Sequence, residues 1–200
     1  MNLDCVFQTF PQLETERFVL RQLRLADAEA LFAILSDEQV TEFYDDEPFA
    51  EISQAREQIE AWNSGYDARR CIRWGISRKE HDLLVGTCGY YGFHTWHGRA
   101  SLGYELARPC WRQGMMTEAL EAVIGFGFGQ VGLNRIQAVV MPGNVGSERL
   151  LEKLGFQREG VLREYENWGD KGRVDVTMFS LLRREYERPC GEMIPKLIQA

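Results

Sequence analysis

Between residues 102 and 156 two strand–turn–helix units follow one another, and that succession restricts the fold more than any other stretch of the chain. Ser101 to Ala107 reads as a strand, ended by Pro109, which cannot donate to a ladder. The turn from Arg108 to Thr117 contains Gly114 and opens into a helix, from Met116, that is apolar nearly all round and therefore buried. That helix is expected only as far as Gly125: Gly125-Phe126-Gly127-Phe128-Gly129 alternates like a strand, and each Gly in a helix interior costs about 1 kcal/mol relative to Ala. The second unit has an apolar strand, Arg135 to Met141, then Asn144-Val145-Gly146-Ser147 and a short helix from Val145 to Leu154. Gly155 stands where a left-handed C-cap belongs, with Phe156 folding back on Leu151. Strands and helices that alternate in this way predict an α/β (α+β) fold around a sheet of mixed direction.

The flanking sequence extends the same pattern. Arg17 to Leu25 alternates apolar and polar residues as a half-buried strand does. Asp27 precedes an amphipathic helix with Ala30, Leu31, Ile34 and Leu35 inward, and Ile52 to Trp62 reads as a second helix. The loop between them is acidic (Glu38, Glu42, Asp45, Asp46, Glu47), a composition usual for solvated surface. Ile72–Ile76 and Leu83–Tyr91 look like strands joined through the polar segment 78–82, and Arg173 to Leu182 like a long final strand. Trp62, Tyr66, Trp74, Tyr90, Tyr91, Trp96 and Trp168 are expected in the core or in a groove wall. With no internal repeat or Pro/Gly/Ser linker, residues 1–200 read as a single domain, of which 182–200 is a tail that packs on the domain or on a second subunit.

Composition excludes several functions. No run of about 18 apolar residues is present, so no membrane span is expected, and Met1-Asn2-Leu3-Asp4 carries no signal-peptide pattern. The five cysteines are scattered without Cys-x-x-Cys spacing, as in a reducing cytoplasm. His81, His94 and His97 lack the companions of a standard ligand set, so no metal is expected. A net charge of −7 argues against direct nucleic-acid binding and is compatible with a cationic partner.

The turn before the buried helix has chemistry of its own. A helix N-terminus presents unpaired N–H groups and about half a positive charge, so it attracts anions. Gly114 lets backbone approach phosphate oxygens, Arg112 can add a guanidinium and Thr117 a hydroxyl. A nucleotide-phosphate binder using the same turn is poorly supported, since neither phosphate-loop glycine signature follows a strand.

Taken together, Thr15-Glu16-Arg17-Phe18-Val19-Leu20-Arg21, Leu102-Gly103-Tyr104-Glu105-Leu106, Trp111-Arg112-Gln113-Gly114-Met115-Met116-Thr117-Glu118-Ala119-Leu120, Asn144-Val145-Gly146-Ser147 and Glu152-Lys153-Leu154-Gly155-Phe156 with Glu159-Gly160 resemble the GNAT superfamily of acetyltransferases. Within it the chain resembles the RimJ/RimL-like branch of ribosomal-protein N-terminal acetyltransferases. The resemblance implies the GNAT fold, a mixed twisted central sheet flanked by helices, with acetyl-CoA wedged between two splayed parallel strands. Pantetheine would run along Leu106 and Ala107, hydrogen-bonding as an added strand does. Pyrophosphate would rest on amides of the turn Trp111, Arg112, Gln113, Gly114, Met115, Met116 and Thr117, with Asn144 and Ser147 completing the cofactor site. The family's turn usually reads Gln/Arg-x-x-Gly-x-Gly/Ala; here Trp111 holds the first position, and Met116 the last, with a bulk able to narrow the phosphate loop.

The reaction so implied needs a neutral amine, a polarised thioester carbonyl and a proton for the departing thiolate. An α-amine has a pKa of about 8, so roughly a tenth is neutral at pH 7 and a modest base suffices; much of the acceleration can come from placing amine and thioester together. Two carboxylates qualify as the base: Glu166, at the place where RimL-like members carry one, and Glu105, on the strand beside the cofactor. Backbone at Leu106 would hold the thioester carbonyl, and Ser147 would protonate the thiolate, with Tyr165 a second candidate acid. Glu118 is expected to serve the first turn of its helix. The acceptor is expected to be a primary amine, such as a ribosomal-protein N-terminus; a polyamine, an aminoglycoside, or a noncatalytic acyl-CoA-binding role are the alternatives. Both a monomer and a homodimer are compatible with the sequence.

Overall fold

The computed structural model describes residues 1–44, 47–169 and 172–186. The chain opens with a short helix, α1 (Leu3–Val6), and strands β1 (Leu13–Glu14) and β2 (Phe18–Gln22). Helices α2 (Ala28–Leu35), α3 (Glu38–Thr41) and α4 (Ile52–Asp67) follow, then strands β3 (Cys71–Arg78), β4 (Leu84–His94) and β5 (Arg99–Leu106). Helix α5 (Met115–Phe126), strand β6 (Arg135–Val140), helix α6 (Val145–Lys153), and strands β7 (Gln157–Asn167) and β8 (Arg173–Leu182) complete it. The eight strands form one sheet in the order β1-β2-β3-β4-β5-β6-β8-β7. No helix among the described residues is long and apolar enough to cross a membrane.

Every neighbouring pair is antiparallel except β5 and β6. A parallel pair needs a crossover, which α5 supplies. The parallel pairing covers only Arg99↔Arg135, Ala100↔Ile136 and Ser101↔Gln137. Beyond it β5 runs on to Leu106 and β6 to Val140 unpaired with each other, so the sheet is split open on one side of its middle.

Side chains alternate between the faces of a strand, which fixes what each face of the split can present. Trp74, Cys88 and Tyr104 are cross-strand partners on one face; α5 packs there, with the rings of Trp74 and Phe126 edge to face at 5.4 Å. Arg73, Gly89 and Gly103, then Gly75, Thr87 and Glu105, share the other face. That face meets α2 and α4 through Leu23, Leu31, Ile59 and Leu84 and through the Arg73 guanidinium, 4.8 Å above the Trp62 ring.

Several elements depart from the sequence expectations. Helix α5 passes Gly125 to Phe126 and continues as a π-turn over Gly127–Val131. The Tyr90 hydroxyl donates to the Val123 carbonyl at 2.9 Å, and a Cβ on Gly127 would collide with the Tyr90 hydroxyl. The glycine is there for the close approach of a tyrosine, and tertiary packing outweighs its helix cost. Helix α4 extends beyond Trp62 to Asp67. Asp27 makes no side-chain bond to the helix it precedes; its carboxylate instead accepts from the Arg24 amide at 2.7 Å and pairs with the buried Arg21. Strand β7 was not foreseen. It is a sheet edge exposed along most of its length, so its sequence lacks apolar alternation. Gly155 takes the expected left-handed C-cap (φ 86°), and the Phe156 amide donates to the Leu151 carbonyl at 3.0 Å. The tail from Arg188 and Asp45 and Asp46 of the acidic loop lie outside the described residues.

Candidate active site

Where β5 and β6 diverge, a groove passes through the sheet. Its floor is Leu102–Glu105 of β5, one wall is Ala138–Met141 with Asn144 and Ser147, and the other end holds Phe43, Tyr44, Arg73, Tyr91, Glu166 and Trp168. The alternation of β5 sends Tyr104 to the α5 face and Glu105 to the α4 face, so two adjacent residues serve opposite mouths of one opening.

On the α5 face the backbone of β5 is ready for an extended ligand. The Ala107 amide donates to the Val85 carbonyl at 2.8 Å. Hydrogen-bonded pairs alternate along an antiparallel ladder, so Glu105 also bonds towards β4, while Tyr104 and Leu106 turn their N–H and C=O groups into the split. The Leu106 carbonyl accepts from the Trp111 indole at 2.8 Å, and its N–H faces the groove. The Leu106 N–H is thus turned towards the split, and the Ala107 amide is engaged with β4.

The turn into α5 follows at once. Arg108–Cys110 form a 3-10 turn, and both Arg112 (φ 59°) and Gly114 (φ 71°) are left-handed. Gly114 caps α5 from that conformation, and a Cβ there would meet nothing nearer than Arg17 Nη2 at 3.8 Å. Glycine is therefore required by the backbone and not by space. The turn is braced from within by the Gln113 amide on the Pro109 carbonyl (2.7 Å), and from β2 by Arg17, whose Nη1 donates to the Gln113 carbonyl (3.1 Å). Glu118 holds Arg17, accepting from its amide at 2.8 Å and its Nε at 2.6 Å, so this acid anchors the turn's brace and is not confined to its own helix. Met115 and Met116 point into the core, Met116 only 6% exposed, so Met116 does not narrow the loop. Trp111, Arg112, Gln113 and Gly114 are exposed, and Thr117 is half-buried. The left-handed turn, the amides at the start of a 12-residue helix and the exposed Arg112 suit a pyrophosphate. Gly114→Val is expected to strain the turn by about 1–2 kcal/mol and to raise the KM for acetyl-CoA with kcat little changed, measured by steady-state kinetics.

Asn144 caps α6: its Oδ1 accepts from the Ser147 amide at 3.1 Å. Ser147 Oγ lies 2.6 Å from the Tyr104 hydroxyl, which reaches it from β5. Tyr104 carries no separate sign in the sequence, because a tyrosine at an inward strand position reads as packing.

The opposite mouth holds charge. Glu105 is not an open carboxylate: its side chain is 1% exposed, and Arg73 beside it 12%. Glu105 accepts from Arg73, from Thr87 Oγ1 and from the Tyr44 hydroxyl, the last at 2.6 Å. Burial works against the charge of Arg73, but Glu105 and Tyr44 reverse the balance and hold its pKa up. Gly103 leaves room for the guanidinium, since a Cβ there would sit 3.2 Å from Arg73 Nη1. Arg73 was missed by sequence reasoning, although a lone charge inside the apolar run Ile72–Ile76 was the available signal. Glu166 also lines the groove, and its side chain has no hydrogen-bond or ion-pair partner among the described residues. It follows a bulge in β7, where Leu162 pairs with Val176 and Glu166 with Val174; such bulges re-aim side chains. Tyr165 stands 52% exposed outside the groove.

The family model described as "Acetyltransferase (GNAT) domain" matches residues 17–157. The N-acetyltransferase YoaA of Bacillus subtilis (strain 168) is 46% identical over 174 residues, 87% of this chain and 98% of YoaA. The [ribosomal protein uS5]-alanine N-acetyltransferase of Escherichia coli (strain K12) is 27% identical over 126 residues, 55% of this chain and 63% of that enzyme. In fold, the chain is similar to Mycobacterium smegmatis RimJ solved in complex with CoA-disulfide, with a TM-score of 0.77 at 24% identity over 90% of this chain and 91% of that one. The chain belongs to the GNAT family of acetyl-CoA-dependent N-acetyltransferases.

Proposed function

We propose that the protein acetylates the α-amine at a protein N-terminus, ribosomal proteins first among them, and that it does so as one catalytic domain in the cytoplasm. One observation carries the reading: the split joins a cofactor mouth on the α5 face to an acidic, aromatic mouth on the α4 face, with Tyr104 and Glu105 on either side of it. A cationic amine is suited to the second mouth, where Phe43, Tyr44, Tyr91 and Trp168 supply ring faces and Glu166 a carboxylate. The E. coli relative is named as an alanine N-acetyltransferase of ribosomal protein uS5.

Acetyl-CoA supplies an activated acetyl thioester. The chain's own groups do the rest. The amides of the turn, with Arg112, hold the pyrophosphate. The Leu106 N–H polarises the thioester carbonyl, and the Asn144 side chain fixes the amide of Ser147. Glu166 takes the amine's proton, directly or through water, and Ser147 directs its hydroxyl at the departing sulfur. Glu105, with each oxygen engaged, orients Arg73 and Tyr44 and leaves the proton to Glu166. Placing amine and thioester together contributes most of the rate.

The test is acetyl-CoA turnover, followed as thiol release, against N-terminal peptides of ribosomal proteins beside polyamines and aminoglycosides. Turnover with a peptide, and mass spectrometry placing the acetyl on its α-amine, is the expected result. Turnover with small amines alone would overturn the acceptor assignment, and coenzyme A binding without any acetylated product would overturn catalysis.

A further inference from the structure

The contact between Tyr104 and Ser147 crosses the split, from β5 to the first turn of α6, at 2.6 Å between the two oxygens. Tyr104 is flanked by its cross-strand neighbour Cys88 and packs against the main core, and Ser147 is tied through its amide to Asn144 Oδ1. Either oxygen can donate in such a bond, so acidity decides. Burial pushes the Tyr104 phenol up to about 12, with the Ser147 bond pulling the other way. It is therefore protonated at neutral pH and is still a stronger acid than an aliphatic alcohol. The phenol donates, the serine oxygen accepts, and the serine's single hydrogen is left for a second partner.

We infer that Tyr104 is a positioning residue for the leaving-group step: by donating to Ser147 Oγ it turns the Ser147 O–H towards the sulfur of acyl-CoA lying in the split. The inference rests on the proposed role of Ser147 at that sulfur. As the amine nitrogen bonds to the acetyl carbon and the carbon–sulfur bond breaks, the electron pair stays on sulfur. Ser147 stabilises it by a hydrogen bond, stronger to a thiolate than to a thiol. The proton released by the amine passes to Glu166 or water, and an equivalent proton from solvent completes the thiol. Tyr104 and Ser147 end with the hydrogens they began with.

A test that needs no acceptor compares the affinities of the full chain for coenzyme A and for desulfo-coenzyme A, by calorimetry at pH 7 and pH 9. The wild type is expected to prefer coenzyme A by about three- to tenfold, and more at pH 9, where a larger share of its thiol is ionised than at pH 7. Ser147→Ala should abolish the preference. Tyr104→Phe, which keeps the ring, should lower it at least threefold and flatten its rise with pH, leaving desulfo-coenzyme A affinity unchanged. A purely structural tyrosine would weaken both ligands alike and preserve the ratio. A fluorinated tyrosine at 104, a stronger donor of similar size, should raise the ratio. Tyr104→Phe with the wild-type ratio, while Ser147→Ala loses it, overturns the inference and leaves the role of Ser147 intact. An unchanged ratio in Ser147→Ala removes that role and the inference with it.

Discussion

Glu105→Ala is expected to lower folding stability by about 3–5 kcal/mol, the usual result of removing one partner from a buried ion pair. The variant would keep Arg73 with its charge, its side chain only 12% exposed, with Thr87 Oγ1 and the Trp62 ring among its remaining neighbours. Neither carries a countercharge. The large effect comes from the orphaned cation and not from the worth of the pair itself, and a double variant separates the two. Arg73→Met with Glu105→Leu fills the same space with apolar atoms and is expected within about 1 kcal/mol of the wild type, because a buried pair gains little net energy over a well-packed isostere. Denaturant unfolding of the single and double variants checks both. A cost below about 1 kcal/mol for Glu105→Ala alone would show that the guanidinium finds water on its own, and would return Glu105 to the list of open carboxylates. The variant also loses the acceptor of the Tyr44 hydroxyl, so the KM for the amine should rise while that for acetyl-CoA stays.

This pair also marks where sequence reasoning reaches its limit. Which strands and helices exist was legible between residues 102 and 156, because Gly114, Gly155 and the apolar runs are local signals read through backbone conformation and burial. The glycine-bearing turn into α5 was legible for the same reason, and Gly114 is left-handed there. What was not legible depends on partners distant in sequence. Gly127 reads as a helix breaker until Tyr90, on another strand, is seen against it. Met116 reads as bulk in the loop until the helix rotation is known to turn it inward. Glu105 and Glu166 are the same residue type on two strands. Only the pairing of β3, β4 and β5 shows that Arg73 and Thr87 close over Glu105, and only the bulge in β7 brings Glu166 to the groove. The β7 edge carries no hydrophobic period because so little of it is buried, so a strand bearing a candidate catalytic group was the element least visible in composition.

Glu166→Gln is expected to lower kcat/KM about 10- to 100-fold at pH 7, and the size of that defect should itself depend on pH. The amide keeps the shape of the side chain but cannot take a proton. What remains for the variant is the fraction of acceptor already neutral, roughly a tenth of an α-amine with a pKa of about 8, without the further gain of general-base assistance. Raising the pH supplies neutral amine from solution, so the ratio of wild-type to variant rates should shrink as pH passes through the acceptor's own pKa. For an α-amine that falls near pH 8. For a lysine-type or polyamine nitrogen, with a pKa of about 10.4, it falls two units higher. The pH at which the variant recovers therefore reports the chemical class of the acceptor, independently of which peptide or small molecule is used to start the assay. Glu105→Gln separates the two carboxylates. With its oxygens engaged by Arg73, Thr87 and Tyr44, its loss should appear as instability and raised acceptor KM with no recovery at high pH. A defect in Glu166→Gln that stays constant as the pH rises through the acceptor's own pKa would mean that Glu166 moves no proton, and a recovering defect in Glu105→Gln would mean that the buried carboxylate does.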